Sequence, residues 1–454
     1  MAGFGAGLRS VPLAVVLFAL ATFGTGIAAP ASERFVAHGG AVRDLAVTAD
    51  GRALVSGGFD YAVVLWERAT GTPRARVVAH DGPVNDVIVL PGGAIAASAG
   101  DDGAIVLLDI GSGAVVARLF GHEAKVVALA ARAGGEELAS AGWDGTVRLW
   151  SIAERRERTR FGDPDRRYTG VAFLAEDGLV AADHTGSLTR WDGVSGRVRW
   201  RTPGNGFPTT RLLARGDLVI SGSIDGSVRG WNAEDGRERF RLEGQEKPVL
   251  SLALSDDGAW LASGTAAGTI YLWHVAEQRG ERVLRAPGGA VWSLAFAPDG
   301  RTLYSGHGDG AIRVWDISNG QQIGGPHALQ LAASERLLGD ERGAQLFRKC
   351  IGCHSLTPDD EHKAGPTFYH LIGRRAGTVP GYPYSEALRR SGIVWTEETL
   401  GRLFELGPEA FVPGSRMPLQ RVPDPQDRAA LVAYIARISA REQASGSNGA
   451  ESGR

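Results

Sequence analysis

The chain has 454 residues, 43% hydrophobic and 22% charged, which is apolar enough to build folded cores and excludes a disordered polymer. Its formal net charge is -2, so no global field argues for a nucleic-acid or acidic-membrane partner. The length suggests two or three domains, and 64 glycines favour many tight turns between short strands.

Residues 1–31 read as an export signal. Arg9 gives a positive start, Val11 to Phe23 an apolar core, and small residues follow with cleavage expected after Ala28 or Ala31. The alternative is an uncleaved anchor, since the apolar run approaches the ~20 residues a span needs. Only that alternative gives the chain a membrane contact.

From residue 33 to 325 the text repeats. Trp66, Leu108, Trp150, Trp191, Trp231, Trp273 and Trp315 follow one another at intervals of 42, 42, 41, 40, 42 and 42 residues. Each is preceded by short alternating apolar runs and a turn such as Asp144-Gly145, the pattern of consecutive hairpins. The period and the terminal Trp-Asp-like signature resemble the WD40 family. One small sheet cannot bury both its faces, so such units stack into a ring, and the expected fold is an all-β seven-bladed propeller. The segment Arg34 to Ala37 precedes the first repeat and is expected to complete blade seven, whose own last strand, Gln321 to Ile323, is weak.

His38, His80 and His122 each lie 28 residues before their Trp or Leu. The resemblance implies that each bonds the turn Asp of its blade. The later repeats carry Asp163, Pro203, Gln245 and Pro287 at that place and must rely more on packing. His184, His274 and His307 share no repeat position and are expected at the surface. Tyr168 and Trp292, near the starts of first strands, are either binding residues or packed inside. The residues 66–71 weakly resemble turns of quinone-cofactor propellers. The ring is therefore expected to be a protein-docking platform, with a cofactor-holding propeller as the alternative.

After a linker at 326–338, the hydrophobic period changes from two to 3.6. Asp340 is an expected N-cap for a helix through Gly343 and Phe347, and a second helix is expected over about 424–440. Gly343 is small enough for the two to cross closely. Between them lies Cys350-Ile351-Gly352-Cys353-His354, which holds the only two cysteines of the chain. Cys-x-x-Cys-His is the haem c attachment pattern, with His354 as proximal iron ligand. A redox dithiol or half of a zinc site would share the cysteine spacing, but zinc would need a second ligand pair and the dithiol does not require His354. A haem wants a distal ligand in a later loop. Met417, bounded by Pro413, Gly414 and Pro418, supplies one.

Residues 339–443 resemble mitochondrial-type cytochrome c and cytochromes c2, an all-α class I cytochrome c fold. The segments that carry the resemblance are GAQLFRKCIGCH, HKAGP, GRRAGTVPGYPYSEA, GIVW, PGSRMP and LVAYI. The resemblance implies one covalent haem c on Cys350 and Cys353, with His354 and Met417 as the axial pair. It implies that the Pro366 carbonyl orients His354, and that Arg374, Tyr384 and Trp395 bond the haem propionates. Leu388 and Leu403 depart from polar residues of the family, which points to a drier pocket, and Leu419 replaces an aromatic residue. The lysine ring that docks mitochondrial cytochrome c is absent, leaving Arg374, Arg375, Arg389, Arg390 and Arg416 as a smaller positive face. Residues 444–454 read as a disordered tail. The expected function is an exported, periplasmic single-electron carrier with a protein donor, a protein acceptor and a protein ligand for the propeller. The alternatives are a fused oxidoreductase with a second cofactor and a redox-responsive scaffold.

Overall fold

The computed structural model describes residues 35, 37–175, 178–246, 248–323, 341–347, 350, 354–356, 365–380, 382, 384–415, 417 and 421–439. The expected leader, linker and tail, together with Cys353, Arg416 and Leu419, lie outside these residues.

Blade 1 shows how the repeat becomes a sheet. Its strands β1 (Val42–Val47), β2 (Ala53–Gly58), β3 (Ala62–Glu67) and β4 (Thr72–Val78) pair in sequence order, all antiparallel. β2 and β3 are almost wholly buried and read as near-continuous small or apolar runs, because neighbouring blades cover both faces. β4 is polar and exposed at the rim. Six more four-stranded sheets follow, over residues 84–119, 126–162, 168–201, 209–242, 249–285 and 291–322. Cores form between blades: Val55, Val63 and Leu65 of blade 1 meet Val84, Val106 and Leu108 of blade 2.

Ring closure uses both ends of the repeat region. Ile312 N–H of blade 7 donates to Phe35 O at 3.2 Å, while Ile323 N–H donates to Val314 O at 2.8 Å. Phe35 is 2% exposed and packs with Trp66 of blade 1 and Tyr304 of blade 7. The N-terminal segment and Gln321–Gln322 thus share the outer edge of the last blade.

Inside the blades, His38, His80 and His122 each reach the turn carboxylate, at 2.8 Å to Asp60, 3.0 Å to Asp102 and 2.9 Å to Asp144. Their Nε2 atoms lie 2.7, 2.8 and 2.7 Å from Ser56, Ser98 and Ser140. Trp66 and Trp150 donate to the same serines at 2.8 Å; Leu108 cannot. In blade 6, Gln245 Oε1 instead accepts from Ser263 at 2.6 Å. In blade 7, His307 takes the place in the network from a different position in sequence, 2.8 Å from Ser305. This corrects the surface assignment for His307, which is fully buried. Burial and the Arg313 guanidinium push its pKa down to about 3, so it sits there neutral. Tyr168 is also buried, against Trp191.

The first strand of every blade carries a β-bulge one residue in from its start. A bulge re-aims a side chain, and here the seven bulge positions, from Arg43 to Trp292, line one end of the central channel. Beneath them Arg211 of blade 5 spans the axis. It pairs with Asp86 of blade 2 at 3.0 Å and with Asp44 of blade 1. Asp44 and Asp86 also accept from Val87 N–H at 3.0 Å and Leu129 N–H at 2.6 Å in the next blades round. Burial raises the Asp44 carboxyl well above its usual range, against the pull of Arg211.

The C-terminal domain consists of α1 (Arg342–Phe347), α2 (Glu386–Arg390), α3 (Glu397–Leu406), α4 (Pro408–Phe411) and α5 (Pro425–Ser439). Thr396 starts α3 through a reciprocal cap with Thr399. Helices α1 and α5 cross at Gly343, where a Cβ would stand 2.3 Å from Ala430 O and 2.7 Å from Tyr434 Cβ. Among the described residues no helix is long and apolar enough to cross a membrane.

Candidate cofactor site

The helices and loops of this domain line an apolar cavity, the kind of site that takes a cofactor. Two backbone bonds tie His354 to the end of α1: Cys350 N–H donates to Phe347 O at 2.7 Å, and His354 N–H to Cys350 O at 2.9 Å. His354 Nδ1 lies 2.7 Å from Pro366 O. A proton on Nδ1 satisfies that carbonyl and leaves the lone pair on Nε2, the arrangement a metal-binding imidazole needs. The ring stacks on Phe368, with centroids 4.3 Å apart. Gly365 makes room for it, because a Cβ there would lie 2.2 Å from His354 Cε1.

Met417 lines the same cavity from the loop after α4. The loop turns at Gly414, φ +82°, a conformation glycine adopts readily. Ser415 Oγ accepts from Met417 N–H at 3.2 Å. Leu388, Leu400, Leu403, Phe404 and Val412 complete the walls. Leucines at 388 and 403 offer no hydrogen bonds to the interior.

Tyr384 and Trp395 also line the cavity. Burial raises the Tyr384 hydroxyl above its ordinary pKa, so it stays protonated and can donate. The Trp395 backbone is clamped by Gly373 N–H at 2.8 Å and Arg374 O at 2.9 Å. Arg374 is not part of the lining. Its guanidinium donates to Tyr369 O at 2.8 Å and to Thr367 O, bracing the strand of chain that carries Pro366. Burial lowers its pKa. On the surface, Arg390 pairs with Glu386 at 2.5 Å, which weakens its share in any positive face. Two further lining residues, Phe59 and Tyr61, come from propeller blade 1. Sequence reasoning did not place them here.

An imidazole with its Nε2 lone pair and a thioether facing one apolar cavity, with Cys350 one turn away, form a donor set that fits haem c.

Three family models match parts of the chain. The family model described as Cytochrome c matches residues 341–439. The model described as WD domain, G-beta repeat matches 31–67 and 71–109. The model described as Outer membrane protein assembly factor BamB matches 122–327. The chain is similar to cytochrome c2 of Blastochloris viridis, 41% identical over 115 residues, which is 25% of this chain and 84% of the relative. Cytochrome c2 of Rhodopila globiformis is 45% identical over 94 residues, 20% of this chain and 87% of the relative. Cytochrome c of Sesamum indicum is 38% identical over 99 residues, 22% of this chain and 88% of the relative.

Proposed function

We propose, from the premise that this chain belongs to the cytochrome c family and carries haem c in an electron-transfer domain, that it is an exported single-electron carrier with a partner-docking propeller. The observation that carries this reading is the lining of one apolar cavity by both His354 and Met417. Cys350 and Cys353 would hold the group covalently, His354 and Met417 would ligate its iron, and Tyr384 and Trp395 would meet its propionates. When bound, haem c supplies reversible one-electron exchange at its iron. The chain's own residues set the conditions: Pro366 fixes the imidazole, and Leu388 and Leu403 keep water away. A thioether ligand and a dry wall both favour a relatively high potential. Ligation by both His354 and Met417 would leave the iron no open site for a substrate. The leader-like residues 1–31, the bacterial cytochrome c2 relatives and the BamB description together support the periplasm. The propeller offers its surface to a redox partner.

The test is the optical spectrum of the purified ferric holoprotein. A low-spin spectrum with the long-wavelength methionine-to-iron charge-transfer band is expected, and that band should vanish in Met417→Ala. A high-spin spectrum, or a band that survives Met417→Ala, would remove Met417 from the site.

A second reading gives the propeller a ligand of its own. It is favoured by the cavity at the channel mouth. There the Arg43 guanidinium covers the Trp292 ring at 4.6 Å, and its Nε is buried without a hydrogen-bond partner among the described residues. Mass spectrometry of small molecules released from the denatured full chain tests it; release of none, with haem still on the chain, argues for a docking role.

A further inference from the structure

The hairpin between the second and third strands of each blade closes through one residue with positive φ. In six blades that residue is glycine: Gly103, Gly145, Gly186, Gly226, Gly268 and Gly310, with φ between 75° and 89°. In blade 1 it is Tyr61, at φ 66°. This left-handed conformation disfavours a bulky side chain. Three other non-glycine residues adopt it among the described residues, Arg155, Gln278 and His370, and all three are exposed. Tyr61 is 5% exposed. A buried aromatic ring at a turn built for glycine calls for a compensating contact.

The ring takes part in a site shared with the other domain. Tyr61 and, two residues earlier, Phe59 line the cavity that also holds His354 and Met417. Phe59 is anchored from behind by the Arg43 guanidinium, 5.4 Å from its ring centre. Among the described residues, the rest of the lining comes from the C-terminal domain.

We infer that the blade 1 hairpin is the propeller's cap on the haem crevice, with Tyr61 as its main positioning residue. Tyr61 excludes water from the site and shields it from small ligands. A drier site disfavours the extra positive charge of the oxidised iron, so the cap raises the reduction potential. The propeller then belongs to the redox centre itself and is more than a neighbouring platform. This inference rests on haem occupancy, and a parent protein without a c-type spectrum would overturn both.

The full-length holoprotein carrying Tyr61→Gly tests it, since glycine is what the other six blades use and the turn should fold without strain. The expected results are a lower midpoint potential and a severalfold tighter binding of added imidazole to the ferric form. Thermal unfolding of the propeller should be unchanged or shifted upward. Tyr61→Asn, which tolerates the same backbone conformation, should move potential and imidazole affinity the same way, and Tyr61→Phe should leave both near the parent values. Parent-like potential and imidazole affinity in both Tyr61→Gly and Tyr61→Asn would overturn the inference and leave Tyr61 as a turn residue only.

Discussion

In the propeller, every core is filled by side chains of adjacent blades, as where Val63 and Leu65 meet Val84 and Val106. In the C-terminal domain, Leu400, Leu403, Phe404 and Met417 line an apolar cavity that His354 also enters. The first region carries its stability within its own sequence. The second packs its core from residues that also line the cofactor site, such as Leu400, Phe404 and Met417, so a bound cofactor would add to its stability. The two halves of one chain should therefore respond differently to the same insult.

The largest difference is expected on loss of haem attachment. Cys350→Ala combined with Cys353→Ala should abolish the cooperative unfolding transition of the C-terminal domain and leave the propeller transition in place. Calorimetry of the full chain reads both, and a retained C-terminal transition without haem would break the contrast. Next comes Arg211→Met, which strands the buried Asp44 and Asp86 carboxylates. Removing one member of such a network costs about 3–5 kcal/mol. Urea unfolding should show that loss in the propeller with an unaltered haem spectrum.

Gly343→Val probes the other half. A Cβ at 2.3 Å from Ala430 O forces α1 and α5 apart, at a cost of about 1–3 kcal/mol. Thermal loss of the Soret signal should move down while the propeller transition stays put. The smallest effect belongs to Asp60. Burial alone would raise its pKa, but His38, Arg76 and the Gly39 N–H hold it at about 2, against 3.8 unperturbed. A depressed carboxylate stabilises the fold above the unfolded pKa and loses that contribution as pH falls through the folded one. Asp60→Asn should thus cost about 2 kcal/mol at neutral pH. Parent and variant should converge as pH falls from about 4 toward 2; a pH-independent difference would show that Asp60 acts by shape alone.

Repeat number, blade order and the His–Asp pairs were legible from the sequence because they are local and periodic. The hairpin turn fixes Asp60, Asp102 and Asp144 beside their own blades, and spacing alone conveys that. What spacing could not convey was contact across the ring. Arg211 lies 125 residues from Asp86, and only closure of the propeller brings them together. His307 was misread because it enters the network from the hairpin, two residues from Ser305, and not from the repeat start. The haem motif and Met417 were legible as chemistry. The contribution of blade 1 was not, although its trace was present: Tyr61 stands where every other blade has glycine.

The central claim is that one haem, held by His354 and Met417 in a dry cavity, passes single electrons. A potentiometric titration of the purified full-length holoprotein, followed by its visible spectrum, tests this most directly. The account predicts a single one-electron transition of one haem per chain at relatively high potential, with low-spin, six-coordinate iron at both ends. A high-spin or ligand-open iron, or a second redox wave from the propeller, would contradict it.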